Sequence, residues 1–493
     1  MENLDAQRPH SLRELEDRLR LDLLWLNQPV KTWTPALEKD GQPVLDVAVI
    51  GAGLCGLVTL AALKKVGIEN ARAFDRAPAG LEGPWVTFAR METLRTRKEA
   101  AGPALGIPSL TFRAWFEAQH GAQAYSEMGL IPRTMWMEYL VWYRKVLALN
   151  VVNDTALEQI NLRDDGLLSL SLRSGGKADT ILARRVVLAT GLDGLGAPTM
   201  PDVAARAPQK FIRHGADAID MAALKGKRVS VVGAGASAMD NAAAALEAGA
   251  ARVDIFVRRA DIPRIDKFTG VGSQGMTQGY LGLPDEDKWV YMVAGERAQI
   301  PPPRHSVLRV SRHPNAFFHL GSPINDLAVT GDAVEVVTPK GRYLTDLVIF
   351  TTGFSVDFHK RPEFADIADK ILLWRDAYTP PPEWQHAAMG SMPYLGPGFE
   401  FRAKPDLDEA TKSVISHIHC FAYPAVPTHG KITSGIPSIS DGAVRLTTGI
   451  ARSLFVEDRA YHLDRFMNFD TPELFGDEWS DADAFEEASR AKG

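Results

Sequence analysis

Short apolar runs alternate with helical patterns along most of the chain. The run LDVAVI at residues 45–50 precedes a segment whose apolar residues have helical spacing, and a second run, ARAFDR, follows at 71–76. An order of strand, helix and strand is typical of a βαβ unit, in which the two strands lie parallel. The same order returns in residues 226–259. The pattern therefore predicts an α/β fold that contains two such units.

Other segments surround these units. Apolar residues at helical spacing predict helices at 11–27, 134–149 and 441–467. Alternating or continuous apolar residues predict short antiparallel strands near 157–182, a buried strand at 183–191, and a hairpin that leads into a strand at 333–354. Residues 260–315 and 375–435 are rich in Pro, Gly and aromatic residues, which predicts irregular structure. We expect a substrate pocket to be built from such stretches, near 264–320 and 375–435.

A glycine-rich turn links the first strand to its helix. Gly51, Gly53 and Gly56 have the spacing GxGxxG, in which the first glycine permits the tight turn, the second allows a pyrophosphate to approach, and the third lets helix and strand pack closely. Asp75, followed by Arg76, ends the next strand, where a carboxylate can bind ribose hydroxyls. The acidic end predicts FAD as the ligand.

The second unit carries a similar turn with a different end. Gly233, Gly235 and Ala238 repeat the spacing, with Ala236 and Ser237 between them. The strand after this helix ends at Arg258 and Arg259, and a guanidinium group matches the 2′-phosphate of NADPH. A pair of solvated surface arginines is the alternative. The basic end predicts NADPH as the ligand of this unit.

The two turns divide the chain into domains. We predict two Rossmann-like dinucleotide-binding domains, with the NADPH domain inserted into the FAD domain. The FAD-binding domain is predicted at 45–200 and 335–493, the NADPH-binding domain at 201–334, and a helical extension at 1–44.

Composition excludes several classes of protein. The 493 residues include 55 basic and 61 acidic side chains, for a net charge of -6, so the basic surface typical of nucleic-acid binding is absent. No run of about 18 apolar residues occurs, and the charged N-terminus does not resemble a signal peptide. The two cysteines, Cys55 and Cys420, exclude a disulfide framework. We expect a cytoplasmic enzyme without a membrane or nucleic-acid partner.

Further motifs lead to a family resemblance. The segments GPW at 83–85, TLRTRKE at 93–99, VVLATG at 186–191 and DLVIFTTGF at 346–354, together with the two turns, resemble those of the class B flavoprotein monooxygenases. This group includes flavin-containing, Baeyer–Villiger and N-hydroxylating enzymes, and the resemblance covers most of residues 45–465. It implies that Trp85, Thr190, Gly191, Thr352 and Gly353 lie at the bound nucleotides.

Two departures from the family pattern stand out. His214 in FIRHG matches the histidine of the family fingerprint, but the surrounding Phe, Gly and Trp do not match at their spacing. Arg95 and Arg97 stand near the position of the family's active-site Asn. Both departures leave the resemblance to the family intact but leave the subfamily open.

The resemblance implies a reaction cycle. NADPH reduces FAD, and the reduced flavin takes up O2 as a C4a-(hydro)peroxide, which passes one oxygen atom to a small organic substrate. Oxygenation of nitrogen or another heteroatom is favoured over Baeyer–Villiger oxidation of a ketone, because the fingerprint is broken and the C-terminal helix resembles that of N-hydroxylating enzymes.

Arg95, Arg304 and Asp441 are the candidates for catalytic roles. Arg95 is chosen from its place in the family pattern. The resemblance to Baeyer–Villiger enzymes implies a peroxide-stabilising arginine, for which Arg309 and Arg312 are available besides Arg304; structural or phosphate-binding roles are the alternative. Asp441 is predicted to cap a helix whose N-terminus faces the flavin, with an ordinary capped helix as the alternative.

Other interpretations stay open at this point. A disulfide reductase has the same double fold but needs a redox-active cysteine pair, and a flavoprotein sensor would have lost catalysis. HIHC at 417–420 could contribute metal ligands, but a packed strand is favoured and no metal is expected. The chain could also act as a homodimer.

Overall fold

A computed structural model of the chain describes residues 8–192, 194–433 and 435–483. Residues 1–7, Asp193, Ser434 and residues 484–493 lie outside the described residues. The predicted helical extension and the last part of the predicted FAD-binding domain therefore fall partly outside them. The strands are β1 (Leu37–Lys39), β2 (Gln42–Ile50), β3 (Ala71–Phe74), β4 (Val151–Val152), β5 (Thr155–Leu162), β6 (Leu168–Ser174), β7 (Lys177–Leu188), β8 (Gly196–Pro198), β9 (Ile212–His214), β10 (Arg228–Val232), β11 (Arg252–Phe256), β12 (Ala316–His319), β13 (Asp326–Thr330), β14 (Ala333–Thr338), β15 (Gly341–Thr345), β16 (Leu347–Phe350), β17 (Phe354–Val356) and β18 (Ile418–Cys420).

The α-helices follow the predicted segments and add several more. They are α1 (Leu12–Trp25), α2 (Leu54–Lys65), α3 (Phe112–Glu127), α4 (Arg133–Val146), α5 (Ala236–Glu247), α6 (Gln274–Gly279), α7 (Asp285–Ala298), α8 (Arg304–Ser311), α9 (Trp374–Ala377), α10 (Ala387–Gly390), α11 (Glu409–Ile415), α12 (Val426–His429), α13 (Ile439–Glu457) and α14 (Arg459–Met467). Among the described residues, no helix combines the length and apolar character needed to cross a lipid bilayer.

The first βαβ unit lies in the largest sheet of the described residues. Its strand order is β4-β3-β2-β7-β6-β5, with β1 paired to β2 and β18 paired to β7. Strands β4, β3, β2, β7 and β18 are parallel, whereas β5 and β6 extend the sheet as an antiparallel insert. The inner part of β2 is buried on both faces, as expected for a central parallel strand. The buried Asp46 is balanced by Arg184, with 3.2 Å between Oδ1 and Nη1.

The second unit forms a separate parallel sheet, in the order β12-β11-β10-β16-β9. Its core joins the strands to one face of α5 through Val229, Val231, Ala238, Met239 and Ala242, each of them fully buried. Smaller antiparallel sheets are formed by β13-β14-β15 and by β8 with β17. The mixed α/β class that the pattern predicts is confirmed.

Three details of the predicted elements are wrong. The segment 260–315 is not irregular throughout, since it contains α6, α7 and α8. The segment 375–435 is not irregular throughout either, since it contains α10, α11, α12 and β18. The helical segment predicted at 441–467 starts two residues earlier and divides into α13 and α14. The chain forms two compact units, the first ending at Ala451 and the second beginning at Arg452. The predicted division into FAD and NADPH domains stays a prediction.

Candidate functional site

The first glycine turn can close only with glycine at two of its positions. Gly51 has φ +99°, and a Cβ there would lie 2.6 Å from the Ala189 carbonyl oxygen. A Cβ on Gly56 would lie 1.9 Å from the Gly51 carbonyl oxygen. Both distances are shorter than any van der Waals contact, so the carboxyl end of β2 meets β7 and α2 at a separation that no larger residue allows.

The middle glycine of this turn has room for a Cβ. The closest atom to a Cβ on Gly53 would be the Cα of Gly83, at 3.8 Å. Gly53 is also the N-cap of α2 and makes no side-chain capping bond, so the first N–H groups of the helix are available to an anion. A cavity of about 300 Å³ adjoins the turn; its walls include Ala52, Gly53, Gly80, Glu82, Met137 and Arg144.

Asp75 lies at the carboxyl end of β3 and holds the turn. Its Oδ2 accepts the Ala52 N–H at 2.7 Å, and its Oδ1 accepts the Ala77 N–H at 2.8 Å. The carboxylate is buried, whereas the neighbouring Arg76 is exposed. Each carboxylate oxygen of Asp75 has a second lone pair that could accept a further hydrogen bond. Binding of the ribose by Asp75 therefore stays a prediction, in addition to its role in holding the turn.

Trp85 and Thr190 flank the same turn. The Trp85 ring is half-buried and meets Trp136 edge to face, with 6.3 Å between centroids, and Arg133 donates a hydrogen bond to the Trp85 carbonyl. The Thr190 hydroxyl is buried and has no hydrogen-bond partner among the described residues; Gly191 follows with φ +78°. An uncapped helix, an adjoining cavity and an unpartnered hydroxyl together fit a phosphate-bearing dinucleotide such as FAD.

The second turn has the same geometry at the carboxyl end of β10. A Cβ on Gly233 would lie 2.3 Å from the Thr351 hydroxyl, but a Cβ on Gly235 would meet no atom within 4 Å. Gly235 is the N-cap of α5 without a side-chain bond. Ala236 and Ser237 form the first turn of the helix, and Ala238 is buried beneath it.

The arginines after β11 differ in environment. Arg258 is exposed, whereas Arg259 is half-buried and donates to the Arg297 carbonyl at 2.8 Å. Asp254, earlier in the strand, is buried in ion pairs with Arg252 and His319 at 2.8 and 2.7 Å. Asp254 is therefore committed to the protein, and Arg258 lies where a 2′-phosphate could meet it, which fits NADPH.

The end of β16 is tied to the segment before β9. The Thr352 hydroxyl donates to the Thr199 carbonyl, and the Thr199 N–H donates to the Gly353 carbonyl at 2.9 Å. Gly353 has φ +79°. Both residues thus lie at the carboxyl edge of the second sheet, next to the Gly233 turn.

Arg95 lies where three segments meet. Its Nη2 is 3.2 Å from Asp266 Oδ2, and its Nη1 donates to the Pro301 carbonyl at 3.0 Å. Two residues away along the chain, Thr93 Oγ1 is 3.3 Å from His305 Nε2. We name this meeting point of segments 93–99, 266–280 and 301–305 the junction.

The other candidate arginines lie beside the junction. Arg304 is exposed at the first position of α8. Arg309 and Arg312 both pair with Glu247 at the end of α5, at 2.5 and 3.3 Å. These two ion pairs join α8 to α5. Of the three candidate arginines, Arg304 alone does not pair with Glu247.

Asp441 is not the cap of its helix. Helix α13 begins at Ile439, so the Asp441 carboxylate lies within the first turn and accepts hydrogen bonds from Gln274 and Gln278 at 3.3 and 3.0 Å. A negative charge in the first turn still favours the helix dipole. Asp441 therefore ties α13 to α6 and is not the N-cap that the local pattern predicts.

A lysine that the sequence does not single out also reaches the junction. Lys431 Nζ lies 3.6 Å from the centroid of the Phe268 ring. Two residues further, the Thr433 carbonyl accepts a hydrogen bond from Cys55 Sγ in the first turn of α2, at 3.4 Å. The loop that carries Lys431 thus contacts both the first glycine turn and the junction.

Arg90, in the long loop between β3 and α3, binds the loop that follows β9, and sequence reasoning did not single it out. It donates from Nη1 to the Gly215 carbonyl at 2.5 Å and from Nη2 to the Asp217 carbonyl at 2.7 Å, just after β9. Partners 125 and 127 residues away leave no local signal in the sequence. His214, at the end of β9, is buried, and burial lowers its pKa.

Arg90→Lys is expected to slow the reduction of bound FAD by NADPH roughly tenfold, since a lysine cannot reach both carbonyls and a loss of about 1.4 kcal/mol in the transition state is tenfold in rate. Anaerobic stopped-flow absorbance measures this rate. Arg213→Lys is the matched control, because Arg213 also donates to two carbonyls, Gln209 and Ile212, but these lie in its own segment of the chain. Equal rates in the two variants would contradict the role of Arg90.

The cysteines and the HIHC segment have structural environments. Cys55 and Cys420 are free thiols, and burial raises the pKa of each to about 12, so neither is a reactive thiolate. His419 donates a hydrogen bond from Nδ1 to the Gly398 carbonyl at 2.8 Å, and burial lowers its pKa to about 3. Within the described ranges no group of three or more potential ligands is placed to hold a metal ion.

Comparison with known proteins gives one family model and several relatives. A model described as L-lysine 6-monooxygenase/L-ornithine 5-monooxygenase matches residues 117–273. A FAD-dependent urate hydroxylase of Xanthomonas campestris pv. campestris is 37% identical over 468 residues, which cover 94% of this chain and 98% of the relative.

Solved structures show the same fold. An ornithine N-hydroxylase of Kutzneria sp. 744 superimposes with a TM-score of 0.65 at 17% identity, and an ornithine hydroxylase of Pseudomonas aeruginosa with 0.63 at 13%. Each comparison covers 83% of this chain and 100% of the other.

Proposed function

Because this chain belongs to the class B flavoprotein monooxygenases, which are oxidoreductases that use FAD and NADPH, we propose that its substrate is urate or a closely related oxidised purine. The observation that carries this proposal is the 37% identity with a urate hydroxylase over 94% of the chain. A match of that length extends far beyond the two glycine turns, which dinucleotide-binding enzymes of many kinds share.

The proposed reaction is a hydroxylation that consumes one O2 for each substrate. One oxygen atom enters the substrate as a hydroxyl group and the other leaves as water, while NADPH and a proton supply the two electrons and two protons that water formation needs. Bound FAD supplies the oxygen-activating chemistry. The protein's part is to hold both nucleotides and the substrate at one place and to exclude water from it.

The proposed binding sites follow the two turns. We assign FAD to Gly51, Gly53, Gly56, Asp75, Arg76, Trp85, Thr190, Gly191 and Asp441, and NADPH to Gly233, Gly235, Ala236, Ser237, Ala238, Arg258, Arg259, Thr352 and Gly353. The substrate is assigned to the junction, where the exposed Arg95 contacts Asp266 and Pro301. Arg304, at the edge of the junction, is kept as a candidate for charge stabilisation during oxygen transfer.

A second candidate function is N-hydroxylation of a primary amine, favoured by the family model that matches residues 117–273. Baeyer–Villiger oxidation has less support, since its candidates Arg309 and Arg312 are paired with Glu247. A disulfide reductase is disfavoured by the raised pKa of both thiols, the half-buried Cys55 and the buried Cys420.

Urate and amine substrates are expected to give different results with the FAD-loaded enzyme. Urate should stimulate NADPH oxidation roughly tenfold or more and yield one product, heavier by one oxygen atom, for each NADPH consumed. Lysine and ornithine should leave NADPH oxidation at its basal rate. Mass spectrometry of the product formed under 18O2 identifies the inserted atom. Formation of an N-hydroxylated amine, with no product from urate, would reject urate hydroxylation in favour of amine N-hydroxylation.

Location and assembly are also proposed. Two free thiols suit the reducing cytoplasm. Phe466, Met467 and Phe469, at and just beyond the end of α14, are 77%, 70% and 73% exposed, and apolar side chains of this kind are often buried between subunits. We therefore propose a cytoplasmic homodimer, and light scattering of the purified protein measures its mass.

A further inference from the structure

Lys431 has an unusual environment for a lysine. It is half-buried, and its Nζ lies 3.6 Å from the centroid of the Phe268 ring. Within the described part of the chain, no carboxylate oxygen lies within 4.0 Å of this ammonium group. A cation on an aromatic face is stabilised by the negative face of the ring, which holds the side chain in place but leaves its three N–H donors without a charged partner.

The charged groups that face Lys431 are already engaged. Asp266 pairs with Arg95 and also accepts the Phe268 N–H at 3.1 Å. Glu296 accepts a hydrogen bond from the Tyr423 hydroxyl at 3.3 Å. Burial lowers the pKa of Lys431, Asp266 and Glu296 raise it, and Arg95 lowers it. Lys431 therefore adds a positive charge that no adjacent carboxylate neutralises by direct contact.

The position of Lys431 makes this charge useful. Its loop contacts the first turn of α2 through Thr433 and Cys55, and the side chain reaches the junction at Phe268. A half-buried ammonium group loses hydration, and an anionic ligand at the junction would restore the lost stabilisation. Urate is a planar monoanion near neutral pH and matches such a site in charge.

We propose that Lys431, held on the Phe268 ring, binds the substrate as an anion and so selects deprotonated planar substrates over neutral ones. This inference rests on the proposed function for the identity of urate, but not for the charge preference. Binding of benzoate and of its neutral isostere benzamide tests the preference directly, whatever the natural substrate is.

The test compares wild type with Lys431→Met, which keeps the apolar stem, and with Lys431→Arg, which keeps the charge. Wild-type, FAD-loaded enzyme is expected to bind benzoate at least tenfold more tightly than benzamide, measured by perturbation of the flavin absorbance. Lys431→Met should lose that preference, and Lys431→Arg should retain most of it. Equal binding of the two ligands by wild type, or an unchanged preference in Lys431→Met, would overturn the inference.

Kinetics with urate give a second readout. Lys431→Met is expected to raise the KM for urate roughly 10- to 100-fold, the effect of losing a hydrogen bond between charged groups. In wild type the KM should rise as pH passes the lowered pKa of Lys431, because the neutral amine no longer attracts the anion, and this rise should move to higher pH in Lys431→Arg.

A matched control and a separate outcome complete the design. Lys412→Met removes a lysine of α11 that pairs with Glu409 at 2.8 Å and should leave both the benzoate preference and the KM unchanged. Failure of wild type to hydroxylate urate would reject the proposed substrate, whereas the benzoate comparison would still decide the role of Lys431.

Discussion

Gly56→Ala is expected to yield a protein that purifies without FAD. The added Cβ would lie 1.9 Å from the Gly51 carbonyl oxygen, so β2 and α2 must separate and the N–H groups that would bind the pyrophosphate must move. Overpacking of this kind costs roughly 3 kcal/mol, which corresponds to a loss of about 100-fold in affinity if it falls on the bound state. Flavin absorbance of the purified protein and titration with FAD measure the effect.

Two other glycines are the controls. Gly53→Ala places a Cβ 3.8 Å from the nearest protein atom, so the fold should be unaffected and any loss of FAD affinity reports crowding of the ligand. Gly129→Ala meets no atom within 4 Å and should match wild type in thermal stability and flavin content. Wild-type FAD content in Gly56→Ala would reject the assignment of this turn.

Arg258→Asp is expected to raise the KM for NADPH roughly 100-fold and to change the KM for NADH less than about threefold. The exposed guanidinium follows β11 at the second turn. NADPH carries a 2′-phosphate that would bind there, whereas NADH lacks this group. Hydrogen bonds between charged groups contribute about 1.5–3 kcal/mol, and the new carboxylate adds repulsion. Steady-state kinetics with both nucleotides measure the two values, and the FAD content should be unchanged.

The matched control is Arg264→Asp. Arg264 is also exposed and pairs with Asp261 at 2.7 Å, so its reversal tests whether any change of charge in this region alters nucleotide preference. An equal loss for NADPH and NADH in Arg258→Asp would show that the arginine does not bind the 2′-phosphate.

The proposed roles of Arg90 and Lys431 concern different steps. Arg90 joins two loops that are far apart in the chain, and Arg95 and Lys431 reach the junction from different segments. A change in one of them should alter a single step: flavin reduction for Arg90 and substrate binding for Lys431. Separate measurement of the two steps therefore distinguishes the contact made by Arg90 from the proposed substrate site.

The sequence by itself determined the elements whose geometry is local. The glycine spacing at 51–56 and 233–238 predicted two strand-to-helix turns, because the tight turn leaves no room for a Cβ at its first position, Gly51 or Gly233. The alternation of strands and helices predicted the α/β class, and the family resemblance was confirmed by the comparisons.

Tertiary structure decided which side chains share a site. Arg95 and Asp266 are 171 residues apart, and Phe268 meets a lysine from a third segment, so neither contact has a periodicity or spacing to reveal it. Asp441 follows a local rule for helix caps, but α13 begins earlier and the carboxylate binds two glutamines of α6 instead. Local sterics therefore determine the two glycine turns from sequence, whereas the charges at the junction, the proposed substrate site, are set by packing between distant segments.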